Sequence, residues 1–229
     1  MNSLPFARRL AAEAIGTFAL VFAGCGAIMV DAKYGGPLGH VGVAITFGLV
    51  IMAMIYAVGH LSGAHINPAV SAAFTVTRHF PLRDAAAYIP SQLAGAVAAA
   101  ALLRIVWHGT PADLGATMPS VGVGSALIYE GVMTAFLMFV IMAVATDTRA
   151  VGAAAAIAIG GTVALDSLFG GGVTGASMNP ARSFGPALVS GEWHDFWIYV
   201  IGPVLGALVG GFAYQLVRGT AGPVTAPHE

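Results

Sequence analysis

Two short stretches hold the residues whose types and spacing suit chemistry: Gly175-Ala176-Ser177-Met178-Asn179-Pro180-Ala181-Arg182-Ser183 and its earlier echo Ser62-Gly63-Ala64-His65-Ile66-Asn67-Pro68-Ala69-Val70. In each, a Gly-bearing loop runs into Asn-Pro-Ala. Asn is a favoured N-cap, and Pro suits the first helical position, where a missing N–H costs nothing. The pattern predicts one helix over about Pro68 to Val76 and another over about Pro180 to Val189. An Asn amide that caps its own helix through its oxygen keeps N–H donors for a neighbour. Each helix N-terminus adds about half an elementary charge of positive potential. Such a site would turn a water molecule oxygen-first and repel cations.

Composition fixes the surroundings of these stretches. The 229 residues are 58% hydrophobic and 8% charged, against about 25% charged in soluble domains. The chain therefore reads as an integral membrane protein. Six long apolar runs stand out, at about Leu10 to Val30, Val41 to Gly59, Ala85 to Trp107, Gly124 to Ala145, Ala150 to Phe169 and Phe196 to Val217. A bilayer needs roughly 20 residues of helix, so these runs can span and the two Asn-Pro-Ala helices cannot. The first run follows Arg8-Arg9, but it is longer than a signal-peptide core and no clear cleavage site follows, so it reads as a transmembrane helix. The 31 Gly and abundant Ala suit helices packed closely in lipid.

A net charge of −1 and the lack of a Lys/Arg-rich run argue against nucleic acid as a partner. The single Cys25 excludes an intrachain disulfide and reads as a small core residue. With six spans, Arg8, Arg9, Arg78, Arg83, Arg149 and Arg218 fall on the side of the termini, and Lys33 and Arg104 on the other. The positive-inside rule then predicts a multi-pass protein of the cell membrane with both termini cytoplasmic.

The sequence repeats itself. Ala12-Glu13-Ala14-Ile15-Gly16-Thr17-Phe18 resembles Tyr129-Glu130-Gly131-Val132-Met133-Thr134-Ala135-Phe136, with Glu13 and Glu130 117 positions apart. Asn67 and Asn179 are 112 apart, and Gln92-Leu93-Ala94-Gly95-Ala96 matches Pro203-Val204-Leu205-Gly206-Ala207 at an offset of 111. These matches predict a single domain over 1–229, with repeat one at about 8–107 and repeat two at about 124–218. Three spans per repeat invert the second copy, so the two half-helices enter from opposite faces and their Asn-bearing ends meet near the middle. Non-helical backbone is expected at Gly59 to Ile66 and at Gly170 to Met178. At membrane depth it is tolerated only inside protein or along a water-filled cavity. Pro37-Leu38-Gly39 and His108 to Val123 read as outside loops, and Gly219 to Glu229 as a mobile tail.

The charged residues at membrane depth are functional candidates by default. Arg182, beside the outer mouth, would block cations and donate to neutral solutes. Glu13 and Glu130 are placed to accept hydrogen bonds from the buried loops; a proton-coupled role is the alternative. His60 and His65 flank the first loop as bracing or edge residues, because no carboxylate or thiol completes a metal set. Asp166 has no counterpart in the repeat and receives no assignment.

On these motifs the chain resembles the aquaporin, or major intrinsic protein, family over nearly its whole length. The resemblance implies an all-α integral membrane fold of six transmembrane helices plus two re-entrant half-helices in inverted three-helix repeats. It also implies a homotetramer in the lipid bilayer, each protomer with its own pore. Asn67, Pro68, Ala69, Asn179, Pro180 and Ala181 then form the central constriction, and Glu13, Glu130 and His65 support the loops. A second constriction near the outer mouth maps onto Phe47, Ser167, Ala176 and Arg182. Water-selective members usually carry His where this chain has Ser167, and glycerol facilitators usually carry Asp where it has Ser183 and often Trp where it has Phe47. The run Gly175 to Pro186 and Tyr199-Val200 before Gly202-Pro203 look most like nodulin-26-like channels and their bacterial relatives.

The resemblance implies a passive channel, without cofactor, for water and small uncharged solutes such as glycerol or arsenous, boric or silicic acid. Three alternatives stand beside it. One is a strictly water-selective channel, and another a gradient-coupled secondary transporter, a class that also uses inverted repeats and broken helices. The third is a hydrolase built on Ser177, weakened because Ser177 lacks a Gly-x-Ser-x-Gly elbow.

Overall fold

In hydrocarbon every backbone N–H and C=O must find a partner within the chain, so a long apolar run has little choice but to become a helix. The computed structural model describes residues 4–147 and 154–219. Its helices are α1 (Phe6–Lys33), α2 (Gly39–Ser62), α3 (Pro68–Val76), α4 (Leu82–Val106), α5 (Val123–Thr146), α6 (Ala155–Thr174), α7 (Pro180–Ser190) and α8 (Ile198–Arg218). Six of them are long and apolar enough to cross a membrane; α3 and α7, with 9 and 11 residues, are not. No strand occurs among the described residues. The protein is thus an all-α, multi-pass membrane protein, with a long, long, short, long order of helices followed by a second such set.

The long helices pack where glycine lets two backbones touch. A Cβ on Gly95 of α4 would collide with the carbonyl of Ala14 on α1. In the second set, a Cβ on Gly206 of α8 would collide with the carbonyl of Gly131 on α5. The helices α2 and α6 cross at Gly48 and Gly160, where a Cβ on either would lie 2.6 Å from the other's carbonyl oxygen. Without an expulsion of water to drive association in lipid, such close contact is what holds helices together. The half-helix α3 lies against α4 and α8, and α7 against α4 and the 107–122 connection. This flanking keeps Arg182 off the lipid, at 1% exposure.

Two boundaries differ from the sequence expectation. The non-helical stretches begin later than expected, because α2 runs on to Ser62 and α6 to Thr174. Gly170 and Gly171 are helical. They serve close approach rather than a turn: a Cβ on Gly170 would collide with Met133 Sδ, and one on Gly171 would lie 2.6 Å from the His40 ring. In the outer connection, Pro111–Gly115 forms a turn with Ala112, Asp113 and Leu114 in the left-handed region (φ 47°, 48° and 56°). The Arg149 connection and residues 220–229 of the expected tail lie outside the described residues.

Candidate functional site

Both re-entrant loops start the same way. Gly63 and Gly175 take φ of +89° and +86° at the ends of α2 and α6, which only glycine does cheaply. Beyond them Ala64 and Ile66 (φ 45° and 53°), and Ala176 and Met178 (φ 42° and 54°), are also left-handed. For residues with a Cβ this costs about 1–2 kcal/mol each. The offset comes from a fully buried carboxylate beneath each loop.

Glu13 accepts from Ser62 Oγ (2.7 Å) and His65 N (2.9 Å) on Oε1, and from Ile66 N (2.7 Å) and Gln92 Nε2 (2.8 Å) on Oε2. Glu130 accepts from Thr174 Oγ1 (2.6 Å) and Ser177 N (2.9 Å) on Oε1, and from Met178 N (2.8 Å) on Oε2. Hydrogen bonds to a charged group contribute about 1.5–3 kcal/mol each, enough to hold a strained loop. Tyr88 and Tyr199 add a hydroxyl each, donating to Ser62 O (2.8 Å) and Thr174 O (2.7 Å). With the loop N–H groups held from behind, the other edge of each loop lines a cavity.

The two Asn residues cap their own helices and tie the loops to each other. Asn67 Oδ1 accepts from Ala69 N at 2.9 Å, while its Nδ2 donates to Met178 O at 2.8 Å. Asn179 Oδ1 accepts from Ala181 N at 3.0 Å, while its Nδ2 donates to Ile66 O at 2.8 Å. Each crossed tie takes one hydrogen of an amide that carries two. The second is free to face the cavity that both Asn side chains line. Pro68, Ala69, Pro180 and Ala181 are buried behind them.

The cavity, of about 560 Å³, extends from Phe47, Ala176 and Arg182 past the Asn pair to Tyr56, His60 and Ala155. A second cavity of about 420 Å³ opens beyond Phe47, which borders both, and is lined by Asp31, His40, Met118 and Ser167. Phe47 is wedged beside α1, where a Cβ on Gly24 would collide with its ring. The Arg182 guanidinium lies 4.9 Å from the centre of that ring, and its Nη1 donates to Gly115 O at 2.7 Å. Its Nε has no protein partner. Phe47, Ala176 and Arg182 therefore share the long cavity, whereas Ser167 lies on the outer one.

His65 is half-buried, packed against Phe74, Phe80 and Tyr88, with Nδ1 3.0 Å from Ser71 Oγ. Both His60 and His65 line the long cavity. Among the described residues no three of His, Cys, Asp and Glu stand together as a metal set. Sequence reasoning gave no role to Ser62, Thr174, Tyr88, Tyr199 or the Gly115 carbonyl. The first four had a usable signal: Ser62 and Thr174 are 112 apart and Tyr88 and Tyr199 111, the spacing of the repeat itself. Gly115 had none, since its part depends on a left-handed turn.

Comparison with known proteins finds similarity over nearly the whole chain. Residues 1–214 match the family model described as major intrinsic protein. The chain is 49% identical to "Aquaporin NIP1-1" of Zea mays over 222 residues, covering 97% of this chain and 79% of that one. It is 48% identical to "Nodulin-26" of Glycine max, covering 97% and 82%. Among solved structures, the aquaglyceroporin from Plasmodium falciparum superposes with a TM-score of 0.83 at 27% identity, covering 93% of this chain and 97% of that one.

Proposed function

Because the chain belongs to the major intrinsic protein family, we propose that it is a passive channel for water and small uncharged hydroxylated solutes, glycerol and metalloid hydroxides among them. The observation that carries this reading is the crossed pair of Asn caps on the wall of a cavity that reaches from Phe47 to His60. A neutral solute passing there meets N–H donors and two positive helix ends. A cation meets the same positive potential and, further out, the Arg182 guanidinium, so it is excluded.

In this reading Asn67, Pro68, Ala69, Asn179, Pro180 and Ala181 form the central constriction and Phe47, Ser167, Ala176 and Arg182 the outer filter. Glu13, Glu130 and His65 hold the loops. The small side chains of Ser167 and Ala176 leave room for a molecule wider than water, and Phe47 gives its carbon skeleton an apolar wall. Arg182 Nε, unpaired within the protein, is a donor for a passing hydroxyl. The whole chain acts as one channel domain of two repeats. It sits as a homotetramer in the cell membrane with both termini cytoplasmic, as the excess of Arg on that side favours.

Stopped-flow permeation of water, glycerol and arsenous acid into vesicles carrying the protein tests the reading, with Ser167→His alongside. Wild type is expected to pass all three faster than empty vesicles. Ser167→His is expected to keep water flow and slow the two solutes. Unchanged solute flow in that variant would remove Ser167 from the filter.

A further inference from the structure

The two loop-holding carboxylates differ by one hydrogen bond. Glu13 accepts two donors on each oxygen, whereas Glu130 accepts two on Oε1 and one on Oε2. The sequence supplies the cause. The extra donor of Glu13 is Gln92 on α4, and its counterpart on α8, 111 positions later, is Pro203, which has no N–H to give.

Next to this shortfall is a group with the opposite problem. Asp166 of α6 is 0% exposed, and both its carboxyl oxygens lack a partner. It lies on the side of α6 that meets α5: Gly170, one turn further along, presses on Met133, and Met133 is three residues from Glu130. Glu130 and Asp166 are both fully buried, on two helices that pack against each other. A lone buried carboxylate is so costly that such a group takes up a proton instead. Buried polar atoms are, moreover, almost always paired with protein or with ordered water.

We propose that Asp166 is a neutral carboxylic acid that donates, through one internal water, to Glu130 Oε2, standing in for the donor that Pro203 cannot supply. Asp166 is then a positioning residue. It completes the hold of Glu130 on the loop that carries Ala176 and leads into Arg182, so what it does for permeation rests on the filter reading above.

Two measurements test this. Infrared spectra of wild type and Asp166→Asn in lipid compare the carbonyl stretch of a protonated carboxylic acid. That band is expected in wild type and is expected to be missing from the variant; spectra with no band lost would overturn the proposal. Vesicle permeation then compares Asp166→Asn, which keeps a donor, with Asp166→Val, which is apolar and has none. Asp166→Asn is expected to retain the wild-type ratio of glycerol to water permeability. Asp166→Val is expected to change it by about tenfold, the low end for losing one hydrogen bond to a charged group. A wild-type ratio in Asp166→Val, or a lost one in Asp166→Asn, contradicts the assignment. If Asp166→Val does not assemble, the infrared comparison decides alone. Wild-type vesicles no faster than empty ones would sink the channel reading, and the spectra would still decide the state of Asp166.

Discussion

Replacing Glu13 by Gln keeps the shape of the side chain and turns one acceptor oxygen into an NH₂ donor. If that group takes the Oε2 position it faces Ile66 N–H and Gln92. Gln92 can turn and offer its Oε1, which has no partner. The Ile66 N–H belongs to a strained loop and cannot turn away. In the other orientation His65 N–H is stranded in the same way. One buried backbone donor left unpaired costs about 1–3 kcal/mol, and each hydrogen bond that changes from a charged to a neutral acceptor loses about 1 kcal/mol more. With two bonds weakened in this way the sum is about 3–5 kcal/mol, or ~6–20 °C in the unfolding midpoint of a chain this long. Thermal unfolding in detergent, paired with stopped-flow water permeability, measures it. For Glu130→Gln the same conflict arises, because an NH₂ at the Oε2 position faces Met178 N–H and one at the Oε1 position faces Ser177 N–H, so a drop of similar size is expected. A midpoint for Glu13→Gln within ~2 °C of wild type, the range of an ordinary surface change, would refute the reasoning. If Glu13 carried protons instead, the variant would lose gradient-driven flux while keeping its midpoint.

Gly206→Ala puts a methyl into the carbonyl of Gly131 where α5 and α8 touch; a loss of about 1–3 kcal/mol is expected in thermal unfolding, as for other overpacked contacts. Cys25 is fully buried beneath Gly115, so maleimide is expected to label it only after denaturation, and rapid labelling of the folded protein would contradict that packing. Arg182→Ala removes the cation beside Phe47 and the tie to Gly115. It is expected to admit cations that wild type excludes, read as a conductance in planar bilayers.

How much of this was legible in the sequence depends on distance along the chain. The spans follow from apolar length, and the half-helix starts from Asn-Pro, because both are local facts of backbone pairing. Glu13 and Glu130 were legible as loop acceptors because the repeat puts them in equivalent places. The extent of the non-helical backbone was not. Gly170-Gly171-Gly172 looks like a breaker until Met133 and His40 are seen packed against it. The crossed Asn ties were hidden for a similar reason, since each joins residues more than a hundred positions apart. The left-handed turn at Ala112 to Leu114 contains no signal that would announce it, yet it places the carbonyl that holds Arg182.

The central claim is that uncharged solutes cross passively past the paired Asn caps. The most direct test is vesicle swelling under an inward glycerol gradient, followed by light scattering with a transmembrane proton gradient imposed and then collapsed. The account predicts entry faster than in empty vesicles and the same rate in both conditions. Entry that stops when the proton gradient is collapsed, or that never exceeds the rate of empty vesicles, would contradict it.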